Sequence, residues 1–333
     1  MKKMFSVLLI LTMVLSLNIS AYAESYTVQS GDVLWKIAEQ YDKTWQELAE
    51  KNQLKNPNLI YPGQKITISQ DVNVANREKV ERTNKDKVVA LLKSIETGDM
   101  SAITYINPNK YIQHNLSAED GLEGFGKLLS ALPKGSAKVN VIRAFEDGDY
   151  VVTQTDYDFF GPKVGMDVFR FENGLIVEHW DNLTEKTEPN PSGHTQFDGE
   201  SIITDLEKTE ENKALATDFV ETVLINGKYD QMSNYFNGDQ YIQHNSGIGD
   251  GLSGLGKALS AMAEQGITMS YSNIHKVVGE GNFVFVMSEG TFGGAPYAYH
   301  DIFRIENGKI AEHWDVMSEI PNKEEWKNDN GKF

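Results

Sequence analysis

Tyr111-Ile112-Gln113-His114-Asn115 recurs 130 residues later as Tyr241-Ile242-Gln243-His244-Asn245, and this repetition decides how most of the chain is read. Across residues 111–132 and 241–262, 14 of 22 positions are identical. A second stretch, DVFRFENGLIVEHWD (167–181), returns as DIFRIENGKIAEHWD (301–315), identical at 11 of 15 positions but at an offset of 134. Self-similarity over so long a period marks a duplicated domain. The chain therefore holds two homologous domains of about 115 residues, at 84–187 and 210–320, with a net four-residue insertion in the second. A connector (188–209) joins them and a tail (321–333) follows.

Each repeat has the same order. A helix opens it (84–97 and 211–225), a Gly-containing break leads to a shorter helical stretch, and the Y-I-Q-H-N run is extended. A Gly-punctuated helix follows (121–132 and 251–263). Strands fill the rest, in the first repeat at 138–146, 150–159, 165–171 and 175–182. Asn173-Gly174 and Asn307-Gly308 predict tight hairpin turns. Helices first and strands after predict an α+β fold. A curved antiparallel sheet wrapped around its helices leaves a conical pocket.

The Y-I-Q-H-N run, the D-G-L-x-G-x-G-K stretch beginning at Asp120 and Asp250, and D-[VI]-F-R-[FI]-E-N-G-x-I-x-E-H-W-D together resemble the SnoaL-like branch of the nuclear-transport-factor-2-like superfamily. The likeness covers residues 84–320, and the connector N-P-S-G-H-T-Q-F-D-G (190–199) resembles the segment seen in two-domain members. The resemblance implies two α+β cone-shaped barrels with curved antiparallel sheets, expected to pack as an intramolecular pseudo-dimer. Its members include polyketide cyclases that perform intramolecular aldol closure, with ketosteroid isomerase a more distant relative. Such a fold hosts many functions and does not settle one.

Aldol closure or enolisation needs a base at the carbon acid and a donor for the developing enolate oxygen. A carboxylate in an apolar cavity gains proton affinity, which suits it as that base. Asp167 and Asp301 are the candidates, and the resemblance to the cyclases points to their strand position. With Asn173-Gly174 as a two-residue loop, plain register pairs Phe169 with Glu178 and Asp167 with Trp180. Side chains directly opposite share a face. On that register Asp167, Phe169, Glu178 and Trp180 line one pocket, and Asp301, Phe303, Glu312 and Trp314 the other, while His179 and His313 face away. A bulge would shift this pairing. His114 and His244 are auxiliary donors to a substrate oxygen, or else structural histidines tying strand to helix. If the run is extended, Gln and Asn lie on the face opposite the histidine, and polar groups this dense need partners.

Ahead of the repeats lies SYTVQSGDVLWKIAEQYDKTWQELAEKNQLKNPNLIYPGQKITIS (25–69). A strand over 25–28, a turn at Gly31-Asp32, a helix over 33–41, a second helix opened by the Thr44/Glu47 capping box, and a strand over 65–68 make a small β-α-α-β module, 24–69. YTVQSGDVLWKIA with NPNLIYPGQKI resembles the LysM domain. The resemblance implies binding of glycans that contain N-acetylglucosamine, peptidoglycan or chitin, between the loops of Gly31, Asp32, Val33 and Leu34 and of Asn56, Pro57, Asn58, Leu59 and Ile60. A linker (70–83) follows. Lys2-Lys3, an apolar run over 5–17 and Ala21-Tyr22-Ala23 read as a secretory signal peptide (1–23) cleaved before Glu24.

The formal charge of −17 argues against nucleic acid or an anionic membrane as partner, since both require clustered Lys and Arg. Cys is absent, which excludes disulfides, a thiol nucleophile and iron–sulfur clusters. No H-x-H or H-E-x-x-H spacing points to a metal, and no cofactor is expected. The sequence thus predicts an exported, wall-associated glycan binder carrying a tandem pair. That pair acts as an aldol-type or isomerase enzyme on a small carbonyl compound, as a non-catalytic binder of a small ligand, or as an interaction scaffold.

Overall fold

The computed structural model describes residues 24–29, 32, 34–41, 43, 45–54, 60, 61, 63–69, 82–132 and 135–333. The signal-peptide assignment, most of the linker, and the glycan-site positions Gly31, Val33, Asn56, Pro57, Asn58 and Leu59 lie outside them. The chain divides into two compact units, the N-terminal module and the duplicated region. No helix among the described residues is long and apolar enough to cross a membrane.

In the N-terminal unit, β1 (Glu24–Thr27) pairs antiparallel with β2 (Lys65–Ser69), and α1 (Leu34–Gln40) and α2 (Trp45–Lys51) lie between them in sequence. Val28, Leu34, Ile37, Ala38, Leu48, Ile66 and Ile68 form the core. Asn52 locks α2 to β2: its amide donates to the carbonyls of Leu48 and Thr67, and its oxygen accepts from the Thr67 N–H.

The second unit contains two sheets of five strands. The first repeat runs α3 (Asn84–Thr97), β3 (Ile112–Gln113), α4 (Gly121–Ala131), β4 (Lys138–Asp147), β5 (Tyr150–Asp158), β6 (Pro162–Glu172) and β7 (Leu175–Glu185). The second runs α5 (Thr209–Phe219), β8 (Ile242–Gln243), α6 (Gly251–Glu264), β9 (Met269–Glu280), β10 (Phe283–Phe292), β11 (Ala295–Glu306) and β12 (Lys309–Glu319). The strand orders are β3-β7-β6-β5-β4 and β8-β12-β11-β10-β9, with only the short first strand of each sheet parallel to its neighbour. α3 is opened by a Thr83/Asp86 capping box and closed by Gly98 in the left-handed region. α5 passes directly into a π-helical segment, Val220–Ile225.

Both hairpin turns form as their sequence demands. Asn173 and Gly174 have φ of 51° and 75°, and Asn307 and Gly308 of 53° and 71°. Left-handed backbone at both central residues is what a type I′ turn requires. The strands that leave these turns do not keep plain register. Phe171 faces Ile176 but Arg170 faces Glu178, so Val177 is an extra residue in β7; Ala311 is its counterpart in β12. Beyond this bulge Val168 faces Trp180 and Asp167 faces Asp181, not Trp180.

Alternation then sorts each sheet into two faces. In the second repeat Val284, Val286, Tyr299, Phe303 and Ile305 pack on Ala216, Phe219, Val220 and Val223 of the helical layer. The opposite faces of the two sheets share one core: Phe145, Val152, Val168 and Trp180 from the first with Phe283, Phe285, Ile302 and Trp314 from the second. Asn182 reaches across it to donate to the carbonyls of Ala298 and Val316.

The segments beyond each repeat are exchanged. The connector after the first repeat runs over the second: Asn190 donates to the carbonyls of Gln243 and Ile248, and Ser192 accepts from the Asp250 N–H. The tail after the second repeat runs over the first. Asn328 donates to the carbonyls of Asn115 and Ala118, and Asn330 to Gln113 and Asp120.

Candidate functional site

The bulge decides which side chains meet. On the helix-facing side of the first sheet, His179 Nε2 lies 3.1 Å from Asp167 Oδ1, and the Tyr157 hydroxyl donates to Asp167 Oδ2 at 2.8 Å. His179 Nδ1 lies 3.0 Å from Gln113 Oε1, and Asn115 donates to Asp181. In the second repeat His313 Nε2 lies 2.9 Å from Asp301 Oδ1 and His313 Nδ1 3.2 Å from Gln243 Oε1; Asn245 donates to Asp315. Gln243 Oε1 also accepts from the backbone N–H groups of His244 and Asn245, so it acts as an acceptor. His313 Nδ1 therefore carries the hydrogen, and Nε2 and Asp301 share one proton between them.

The helix-facing side of each sheet thus contains a Tyr–Asp–His–Gln chain with a second Asp beside it. Burial works against charge on His313, but the Asp301 carboxylate outweighs it and raises the imidazole above its usual range. Burial raises Asp167 and Asp315 above ordinary carboxylates. The tyrosines come from different strands. Tyr157 stands on β5 and Tyr271 on β9, and the Tyr271 hydroxyl lies 3.3 Å from both Asp301 oxygens.

Several site assignments are corrected by this register. Trp180, Glu178, Trp314 and Glu312 do not line the cones; they lie on the opposite face with His114 and His244. His114 stacks on Trp180 at 4.7 Å and His244 on Trp314 at 4.5 Å. His114 Nε2 pairs with Glu178 Oε1 at 2.9 Å, and Arg170 Nε with Glu178 Oε2 at 2.6 Å. Neither His114 nor His244 reaches the helix-facing side of its sheet: His114 is bonded to Glu178 of β7 and to the tail, and His244 to the connector. His179 and His313, expected to face away, are the histidines beside the carboxylates. Phe169 and Phe303 stand on the cone face, stacked on His179 at 4.5 Å and His313 at 4.9 Å.

Asp167, His179 and Asp181 are all buried, whereas His313 and Asp315 are part-exposed beside a fully buried Asp301. The Tyr157 ring lies so close over Gly165 that a Cβ there would meet it at 2.4 Å. Phe125 of α4 is buried, while its counterpart Leu255 in α6, with Leu252, Leu259 and Met262 on the same helical face, is only half-buried.

On the opposite face Glu312 carries a measurable charge effect. Burial alone would raise its carboxyl, but His244 and Arg304, whose Nε lies 2.7 Å from Oε2, hold it down at about 2. A carboxyl lowered by folding stabilises above its unfolded pKa, and that contribution is lost as pH falls toward the folded value. Glu312→Gln is expected to cost about 2–3 kcal/mol near neutral pH, and the gap to wild type to close between about pH 5 and pH 2. Urea unfolding of both proteins across that range checks it; a gap independent of pH would show that Glu312 is not the linked group.

In the N-terminal unit, Asp32 accepts from the Tyr26 hydroxyl at 2.8 Å and the Gln29 N–H at 2.7 Å. The Leu34 side chain belongs to the core, and Ile60 is half-buried.

Comparison with known proteins adds the following. The LysM domain family matches residues 26–69, and the family described as SnoaL-like domain matches residues 216–313. The chain is 32% identical over 110 residues to SpoIVD-associated factor A of Bacillus subtilis (strain 168), covering 28% of each protein. It is 40% identical over 60 residues to the N-acetylmuramoyl-L-alanine amidase sle1 of Staphylococcus aureus, covering 18% of each. The chain therefore spans under a third of the length of either relative. Among solved structures it is similar to an NTF2-like protein of Cytophaga hutchinsonii, at 19% identity over 32% of this chain and 94% of that one, with a TM-score of 0.28. A protein of cystatin-like fold from Xanthomonas campestris matches at 25% identity over 32% and 91%, with a TM-score of 0.29. Residues 26–69 are thus a LysM domain, and residues 216–313 are a SnoaL-like domain.

Proposed function

We propose that this is an exported protein held on peptidoglycan by its LysM domain, and that its second repeat binds and transforms a small carbonyl compound. Glycan binding is supported by the LysM match and by the likeness to an amidase whose name specifies a peptidoglycan linkage. Export is supported by the Lys2-Lys3, apolar and Ala21-Tyr22-Ala23 pattern. The first repeat, by its internal identity and strand order, is a second SnoaL-like domain, and the pair is an intramolecular pseudo-dimer.

One observation carries the assignment of the working pocket. His313 and Asp315 are slightly more exposed than His179 and Asp181, the two imidazole side chains being 13% and 10% exposed. In the second cone Asp301 is the base and His313 the partner that shares its proton, both held by Tyr271 and Gln243. The Leu252, Leu255, Leu259 and Met262 face of α6 is only half-buried, as a wall for a small apolar molecule would be. The first cone keeps the same chain as a buried, structural copy.

The test is mass spectrometry of small molecules that co-purify with the chain. Asp301→Asn is expected to retain a ligand that wild type converts, with turnover lowered about 10²–10⁴-fold, and Asp167→Asn to behave as wild type. The same unaltered ligand in all three proteins makes this a binding protein. Loss of turnover in Asp167→Asn alone overturns the choice of cone. Sedimentation with purified peptidoglycan, lost on removing residues 24–69, tests the tether separately.

A further inference from the structure

The connector brings a different set of ligand-type side chains together on the far side of the second sheet. His194 and Asp198 lie on the connector, and His244 lies just after β8. His194 Nδ1 is 3.4 Å from Asp198 Oδ2, and His244 Nδ1 is 2.8 Å from Asp198 Oδ1. The two rings are 5.3 Å apart, and the three ligand atoms all lie within 4.8 Å of one another. A tetrahedral ion with bonds of about 2.0–2.1 Å spaces its ligand atoms about 3.4 Å apart, so closure by about 1 Å completes the set.

We propose that His194, Asp198 and His244 bind a divalent transition-metal ion of the zinc type, which clamps the connector onto the second repeat. Two imidazoles and one carboxylate suit such an ion, and the part-exposed Asp198 leaves room for water as a fourth ligand. Both histidines also have the outer carboxylate that metal-bound imidazoles favour. His194 Nε2 lies 3.1 Å from Asp250 Oδ2, and His244 Nε2 faces Glu312 Oε1 at 3.9 Å.

An independent observation points the same way. His244 Nε2 is buried, its side chain 0% exposed, and has no hydrogen-bond partner among the described residues. Its Nδ1 faces two acceptors, Asp198 Oδ1 and the Thr195 carbonyl at 3.1 Å, so in the metal-free state the ring hydrogen sits there. Nε2 faces the Glu312 carboxylate at 3.9 Å and is walled in by Gly199, where a Cβ would lie 2.9 Å from it. With a metal on Nδ1 the ring hydrogen stands on Nε2, as a donor toward Glu312. The orphaned atom then has a carboxylate to donate to.

The matching place in the first repeat is built otherwise. His114 is bonded at both ring nitrogens, by Gly331 O at 2.9 Å and Glu178 Oε1 at 2.9 Å. Asn330 stands on Asp120 where His194 stands on Asp250, and Lys332 donates to the Asp181 carbonyl. That strap supplies a fixed cation; the connector supplies Asp198 instead.

The experiment is calorimetric titration of the chelator-treated full chain with zinc chloride, and the absence of Cys removes any thiolate background. One zinc per chain is expected. His194→Ala and Asp198→Asn should each weaken binding at least tenfold, and Asp250→Asn about 10-fold. Asn330→Ala and Asp315→Asn should bind as wild type. Circular dichroism verifies that each variant is folded, and X-ray absorption at the zinc edge should report two imidazoles in the wild-type complex. No binding by wild type, binding unchanged in both His194→Ala and Asp198→Asn, or loss in Asp315→Asn, which would place the metal in the cone, each overturns the proposal.

Discussion

Trp314→Ala is expected to lower the unfolding free energy by about 3–5 kcal/mol, the cost of deleting a large buried aromatic. The ring is 1% exposed and is held on every side. His244 stacks on it with 8° between the planes, the Arg143 guanidinium lies 3.9 Å from its centroid, and its Nε1 donates to the Asp198 carbonyl at 3.0 Å. Truncation leaves a cavity, a buried cation without its aromatic face and a carbonyl with one of its two donors gone. Trp314→Phe keeps most of the volume and is expected to cost less than half as much. Urea unfolding of the three proteins gives the comparison. The measurement also decides between the two registers. Were Trp314 a pocket residue, as plain hairpin pairing has it, the alanine variant would lose ligand affinity while unfolding within about 1 kcal/mol of wild type.

The difference between those registers shows what sequence could and could not reveal. The duplication, the type I′ turns at Asn173-Gly174 and Asn307-Gly308 and the order of helices and strands are local or repetitive features, and they are legible. The bulge is not. Val177 and Ala311 are ordinary strand residues, and nothing in either marks it as unpaired, yet each exchanges the faces of every residue beyond it. Asp167 and Asp301 therefore meet His179 and His313, and the tryptophans go to the core between the sheets. The tyrosines of the chain were hidden for another reason. Tyr157 and Tyr271 sit at non-equivalent positions on different strands, so comparing the repeats could not pair them. A hydroxyl reaches the same carboxylate from two directions, which ties that contact to the Asp–His pair and not to a position inherited by both copies. The exchanged straps were legible only as a connector and a tail, because their partners lie more than 40 residues away.

Arg143→Ala is expected to cost about 3–5 kcal/mol, as loss of one partner from a buried charge network does. Arg143 on β4 and Lys276 on β9 occupy equivalent positions, and each cation caps the tryptophan of the other repeat, Lys276 over Trp180 at 3.9 Å. Their surroundings are unlike. Arg143 Nε donates to the Glu200 carbonyl at 2.7 Å, Nη2 to the Asp198 carbonyl at 2.6 Å, and Nη1 to Gln154 at 2.5 Å and the Phe197 carbonyl at 3.1 Å. Burial pulls its pKa down to about 9, still above neutrality, so the guanidinium stays charged, and four of its five N–H donors are used. An alanine would leave the Phe197 and Glu200 carbonyls without this donor, and the Asp198 carbonyl with Trp314 alone. A lysine would keep the charge over the ring but lack the planar fork, and about half the loss is expected to remain. Lys276→Ala removes a cation–π contact alone and is expected to cost about 1 kcal/mol. Urea unfolding of the four proteins, with limited proteolysis of the connector, tests the ranking. Equal losses for Arg143→Ala and Lys276→Ala would mean that the strap contributes nothing, since only Arg143 binds it. A large loss confined to Arg143, with early cleavage between residues 190 and 200, means that one guanidinium fixes both the interface between the sheets and the segment that crosses the second repeat.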